Sequence, residues 1–401
     1  MPSPGQMLFQ SAINQCASTP DSAITYGVPL TTRWLDLLIG DASLHYGPLR
    51  EAHLPPGGLN IFGNSVAHSP VSIDEDSVSH EGPTAGGVVE TRHPYLRERI
   101  VGVRDRLREK DQAWKALEPL SLQAQEHILF RHFTDHVSQW LDLFEPKRPF
   151  GTLVPHLALR SVGLMNAILA LSARHLDIVN RETPTYTGEY RPISNDIVGY
   201  YYKTLHYCQE AMQYDTYQTS LELLASAIII SSYEMLDGSS TDWEKHLKGV
   251  FWIQRSQTIH GHSGGLRQAV WWAWLCQDVW AAFREKRKPF TFWRPNRLLA
   301  DLDPTELAAR SAYNFAQVVG FCAEDRASEE SSTSDVVVTK MHKADLLFQQ
   351  LEQWRSYLTF EFNPIPILTP GPESDHFPTV WIQPAAFGNI SPPHLGILVL
   401  K

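Results

Sequence analysis

The stretch from Val162 to Leu176 constrains the chain most, because it is apolar nearly all the way round a helical wheel. A helix of that kind has no face to give to water, so it must lie in the middle of a helical array. The flanking segments supply the array. Leu122, Ile128, Leu129, Phe133, Val137, Trp140 and Leu141 form the apolar side of a helix predicted over 121–144, which Pro146 and Pro149 end. Further helices are predicted near 195–214, 218–236, 242–259, 266–287, 305–322 and 340–358. Their boundaries carry local signals. Thr241 and Glu244 are spaced as a capping box, Asp303 precedes Pro304 and Glu306, and Gly238 suits a helix C-terminus. No run alternates with period two long enough to require a sheet. The expected fold class is all-α, a multi-helix array of packed antiparallel helices preceded by a disordered N-terminal segment.

Composition divides the chain. Residues 1–90 hold ten of the 24 glycines and nine of the 27 prolines, with nine acids against Arg33 and Arg50 alone. This segment reads as flexible and acidic. Within it, Trp34, Leu35 and Leu38 share one side of a short helix with Asp36 and Asp41 nearby. Two readings stand: an activation segment that folds on a partner, or a short helix docked on the chain's own core. Residues 91–118 read as an amphipathic basic helix or linker, with Leu96, Ile100, Val103, Leu107, Trp114 and Leu117 as its stripe. That helix could join two copies of the chain, or simply present a solvated basic face. The region 119–401 is the helical body, with a surface loop expected over 327–337 and a proline-rich tail from 363 to 393. Its apolar end, Ile397 to Lys401, belongs to no predicted helix, so the body is expected to be truncated at its C-terminus.

Charge and cysteines exclude several functions. With a formal net charge of −10, the chain lacks the basic excess on which nucleic-acid affinity generally rests, so duplex DNA should bind it poorly. Cys16, Cys208, Cys276 and Cys322 are far apart, which fits a reducing compartment and predicts no disulfide framework and no cysteine-based metal site. The N-terminus has no secretory pattern, and the longest apolar stretch, Val162 to Leu171, is shorter than the ~20 residues of a membrane span. A soluble intracellular protein is expected, without membrane contact.

The candidate catalytic and metal motifs are weak. Gly261-His262-Ser263-Gly264-Gly265 matches a nucleophile elbow, which needs a strand before the serine, whereas the residues before it read as helix. A hydrolase using Ser263 is therefore the alternative function. His132 and His136 are spaced like zinc ligands on one helix, but Phe133 occupies the place of the general-base glutamate. Asp135 and His127 could complete such a site only by coincidence. No metal, cofactor or catalytic residue is expected. Lys286-Arg287-Lys288 could act as a weak nuclear-import patch, though cations at a helix C-terminus also answer the helix dipole.

Aromatic residues are the distinctive feature. Seven of the 12 tryptophans lie between 243 and 293: Trp243, Trp252, Trp271, Trp272, Trp274, Trp280 and Trp293. The helix carrying Trp271, Trp274 and Trp280 is apolar over most of its circumference, yet includes Asp278. A buried carboxylate requires a partner: an arginine, histidine, lysine or backbone amide is expected within hydrogen-bonding reach, with Arg174, on another near-apolar helix, as the first choice. Trp243, Trp252, Trp271, Trp274, Asp278, Trp280 and Arg174 are thus the candidate effector pocket, or the aromatic core, of the helical body.

Taken in order, several stretches resemble the regulatory domain of fungal zinc-cluster transcription factors. They are Arg131-His132-Phe133 through Trp140-Leu141-Asp142-Leu143-Phe144, Phe150-Gly151-Thr152, Val154 to Ser161, Leu164 to Leu176, Trp243 to Gly249, Gln277 to Arg284, and Phe377-Pro378-Thr379-Val380-Trp381. The resemblance covers roughly 121–385. It implies a nuclear transcriptional regulator acting through protein partners of the transcription machinery, with a homodimer and a response to a small apolar effector as open expectations. In that family DNA is read by an N-terminal six-cysteine cluster holding two zinc ions. Only Cys16 precedes the helical region here, so those zinc ions have no ligands in this chain and DNA contact would need a further N-terminal module. Where the family pattern has arginine before Gln277-Asp278, this chain has Cys276.

Overall fold

The computed structural model describes residues 34–40, 112–182, 192, 194–238, 243–291, 293–327 and 334–363. The rest of the acidic segment 1–90, most of the predicted basic helix 91–118, Thr241 with its capping box, and the tail beyond 363 lie outside the described residues. Every regular element among the described residues is helical.

Residues 34–40 form α1. Helix α2 runs through Ala124–His132, loosens into a π turn over Phe133–Val137 and closes with Ser138–Leu141. Two short helices follow, α3 (Pro149–Thr152) and α4 (Val154–Ala158), and then the long α5 (Val162–Glu182). Next come α6 (Ser194–Ala211), the single turn α7 (Asp215–Gln218), α8 (Leu221–Asp237) and α9 (Trp243–Ser256). They are followed by α10 (Gly265–Glu285), α11 (Pro304–Ala327) and α12 (Ser334–Ser356).

The array is built around α5 and α8. Leu164, Ala167, Ile168 and Leu171 are each at most 1% exposed, as the apolar circumference of this segment requires. On α8, Glu222 through Glu234 are all buried. Helices α5 and α8 pack on each other; α6 and α2 cover α5, while α9 and α10 cover α8, and α11 lies outside α10. By length and composition, residues 162–181 could cross a membrane, but most of that helix is buried inside the protein as a core helix is.

Several helix ends follow the sequence signals. Asp303 and Glu306 cap α11 reciprocally: the Glu306 amide donates to Asp303 Oδ1 at 2.8 Å and the Asp303 amide to Glu306 Oε2 at 3.0 Å. Gly238 takes the left-handed conformation after α8, with φ of 62°. Other ends depart from it. Helix α2 stops at Leu141 rather than 144, because the Asp142 carboxylate turns to accept the Phe150 and Gly151 amides, each at 2.9 Å. Residues 112–118 are turns, not the end of a basic helix: Trp114 is 2% exposed, whereas Leu117 is 75% exposed. Trp114 leaves the expected stripe because Tyr217 packs edge-on against it and Thr216 accepts its indole N–H at 3.1 Å. The loop expected over 327–337 yields to helix from Ser334 onward. Its valines are poor helix formers, but extending a helix already docked through Trp354 costs less than starting one.

Helix α1 packs on the chain's own core, with Trp34, Leu35 and Leu38 exposed by 5%, 2% and 0%. The reason lies in α9. A Cβ on Gly249 would stand 1.6 Å from the Trp34 indole, so the contact exists only because position 249 has no side chain.

Candidate functional site: an apolar cavity between four helices

Helix α10 separates its aromatic residues onto two faces. Positions 271, 274 and 278 point one way, and 272, 273, 276, 277 and 280 point another, as the 3.6-residue period dictates. The first face is core. Trp271 is 3% exposed and Trp274 is fully buried, its indole N–H donating to the Leu247 carbonyl of α9 at 3.1 Å. Trp243 is also buried, while Trp252 is half-buried beneath the Arg255 guanidinium at 5.3 Å.

Asp278 is fully buried, as expected, but its partner is not Arg174. Oδ1 accepts from Arg287 Nη1 at 2.9 Å, and Oδ2 accepts from the Phe290 amide at 2.7 Å. Burial pushes the carboxyl group's pKa up, and the Arg287 charge and these hydrogen bonds oppose it. Arg174 lies elsewhere, joining the C-terminal parts of α5 and α8: it pairs with Asp237 at 2.5 Å and donates to Asp177 at 3.3 Å. The reason is local. Lys286 ends α10 in the left-handed conformation, which turns the chain and brings Arg287 back over the helix it has just left. The basic run is largely engaged, since Lys288 pairs with Glu324 at 2.6 Å.

The second face of α10 lines a cavity of about 190 Å³. Trp272, Ala273, Cys276, Gln277 and Trp280 form one wall. Val137, Trp140 and Leu141 of α2, with Leu143 and Phe144 just beyond it, form the second. Leu171 of α5 and Ser232, Met235 and Leu236 of α8 complete the lining. Trp280 is therefore the one member of the expected pocket set that lines this cavity. Arg174 and the five other expected members belong to its surroundings or to the core.

The polar groups of the lining are neutral and tied together. Ser231 donates to Gln277 Oε1 at 2.7 Å, Gln277 Nε2 donates to Ser232 Oγ at 2.8 Å, and Ser232 donates to the Ile228 carbonyl at 2.8 Å. Burial pushes the Cys276 thiol up to about 12, so it stays protonated at neutral pH. Behind the second wall, Trp140 packs edge-on against His175 with ring centroids 4.5 Å apart, and His175 Nδ1 meets His132 Nε2 at 2.8 Å.

Sequence reasoning missed a second buried polar cluster. Glu234 of α8 accepts from the Tyr201 hydroxyl at 2.6 Å and meets His246 Nδ1 at 3.0 Å, joining α6, α8 and α9. Its only sequence signal is a glutamate inside an otherwise apolar helix.

The weak motifs gain no chemistry. Ser263 sits in the loop between α9 and α10, where its Oγ accepts the His260 amide at 2.8 Å, and helix rather than strand precedes it. His136 lies beside His132 with the rings tilted and their centroids 4.8 Å apart. Among the described residues, no group of three or more His, Cys, Asp or Glu side chains is placed to hold a metal, and Cys208, Cys276 and Cys322 lie on different helices.

Residues 128–264, about a third of the chain, match the family model of the fungal specific transcription factor domain. This match spans α2 through α9, so the helices that build three sides of the cavity lie within the matched region. No curated protein and no solved structure matches the chain.

Proposed function

We propose that this chain is a nuclear transcriptional regulator whose helical body responds to a small apolar effector and acts through protein partners. The observation that carries the effector is the cavity between α2, α5, α8 and α10, whose walls come mostly from the matched domain. Occupying such a space ties four helices together, so a ligand preferring the filled arrangement shifts the population of the body as a whole. The net charge of −10 favours protein contacts over direct DNA contact.

The test tethers the full chain to a reporter promoter through a heterologous DNA-binding domain and follows a fluorescent fusion in the cell. A change in reporter output together with nuclear accumulation is expected. An inert reporter and exclusion from the nucleus would overturn the proposal. Gel-shift titration of the purified chain should show no sequence-specific nanomolar binding to duplex DNA.

A further inference from the structure

We infer that the cavity selects neutral ligands of fused-aromatic size that carry one hydrogen-bonding group, and that Gln277 reads that group. The inference rests on the effector reading above and narrows it to a chemical class.

Size comes first. A cavity of 150 Å³ lined by Leu, Ile and Phe holds benzene, so the about 190 Å³ here suits one ring more. Trp140, Trp272 and Trp280 contribute flat aromatic surface, which favours a planar body through offset and edge-on ring contacts.

Charge comes second. No Lys, Arg, His, Asp or Glu is among the lining side chains. A carboxylate or ammonium entering there gives up its hydration with no opposite charge in return. The one titratable group in the wall, the Cys276 thiol, stays neutral and offers only a weak S–H donor.

Polarity comes third. Gln277 is held in one orientation, because Ser231 donates to its oxygen while its amide nitrogen donates to Ser232. An amide can make two donations and accept twice. One N–H and one lone pair of Gln277 thus remain beyond these two bonds, on a side chain that lines the cavity and is already fixed by its neighbours. A hydroxyl or carbonyl on the ligand can use either without reorganising the wall. This is the arrangement that distinguishes a ligand bearing such a group from its bare hydrocarbon.

The test uses the full purified chain and three probes that share one fused ring system: 2-naphthol, naphthalene and 2-naphthoate at pH 7, by equilibrium dialysis with saturation-transfer NMR. We expect 2-naphthol to bind about five-fold tighter than naphthalene, the worth of one neutral hydrogen bond, and 2-naphthoate to bind at least about ten-fold weaker than 2-naphthol. Gln277→Met should bring 2-naphthol to the level of naphthalene while naphthalene is held as before. Should that variant fail to fold by circular dichroism, Ser232→Ala serves instead: it frees the Gln277 amide, and a changed ratio of 2-naphthol to naphthalene is expected. Cys276→Phe, which fills the space, should abolish binding of all three probes with helical content retained.

Naphthoate binding as tightly as naphthol would overturn the neutral class and leave the effector cavity standing. An unchanged naphthol preference in the Gln277 and Ser232 variants would overturn the role of Gln277. If none of the three probes binds the wild-type chain, the effector reading falls with it.

Discussion

Arg287 reaches back nine positions to place Nη1 2.9 Å from Oδ1 of Asp278, and its guanidinium lies over the Phe290 ring at 4.1 Å from the centroid. One carboxylate, invisible from the surface, thus folds the chain leaving α10 back against the helix. Its second oxygen takes the Phe290 amide, so both ends of the returning segment are tied to the same side chain.

Removing Arg287 leaves that carboxylate buried and unpaired. Arg287→Ala should therefore cost about 3 kcal/mol, measured by urea denaturation of the purified chain. Combined with Asp278→Asn, the loss should be clearly less than the sum of the two single variants. Strict additivity in this double-mutant cycle would show that the pair is not coupled.

Asp142 makes stability depend on pH. Burial pushes its carboxyl group up to about 7, against the two amides it accepts. Because the folded pKa lies above the unfolded one, the folded state holds an extra proton between about 4 and 7. The stabilising contribution is present at the acid end and is lost as pH rises through about 7. Urea midpoints compared at pH 5 and pH 7.5 should thus fall more for wild type than for Asp142→Asn. Equal falls would count against the shifted carboxyl.

Trp34 and Gly249 form one contact seen from two sides. Trp34→Ala should cost about 3 kcal/mol, and Gly249→Val should detach α1 because its side chain would occupy the indole's place. The double variant should be scarcely worse than the worse single one. Hydrogen exchange at residues 34–40 should rise alike in all three. Protection at 34–40 in Gly249→Val would disprove the docking.

Cysteine reactivity should separate by environment. Cys322 is exposed, whereas burial raises the Cys208 thiol to about 11 and the Cys276 thiol to about 12. Thiolates are the reactive form, so iodoacetamide at pH 8 followed by peptide mapping should modify Cys322 well before Cys208 or Cys276. In urea the difference should vanish. Early labelling of Cys276, which is half-buried in the cavity wall, would count against its raised thiol.

The helical class was legible because period and capping are local properties. The apolar circumference of α5, the reciprocal Asp303 and Glu306 cap and the glycine after α8 each depend on residues within a turn or two of one another. The short helices α3 and α4 were not legible: each spans about one turn, too little for an apolar period to show, and Pro149 read as the end of a helix. The π turn in α2 left no pattern either.

The burial of Asp278 and its need for a partner followed from the apolar helix around it. Its partner did not, because Arg287 becomes a neighbour only after Lys286 turns the chain, while Arg174 finds Asp237 closer. The tryptophan-rich stretch likewise announced an aromatic centre without dividing it. Which tryptophans pack as core and which line a cavity depends on what stands opposite each face of α10. The amino-acid order by itself determined the helices and the stripes that must be hidden, since these arise from interactions along the chain. Only the tertiary structure decided that Trp280, Cys276 and Gln277 share a space with Trp140 and Ser232, because that space exists only where four helices meet.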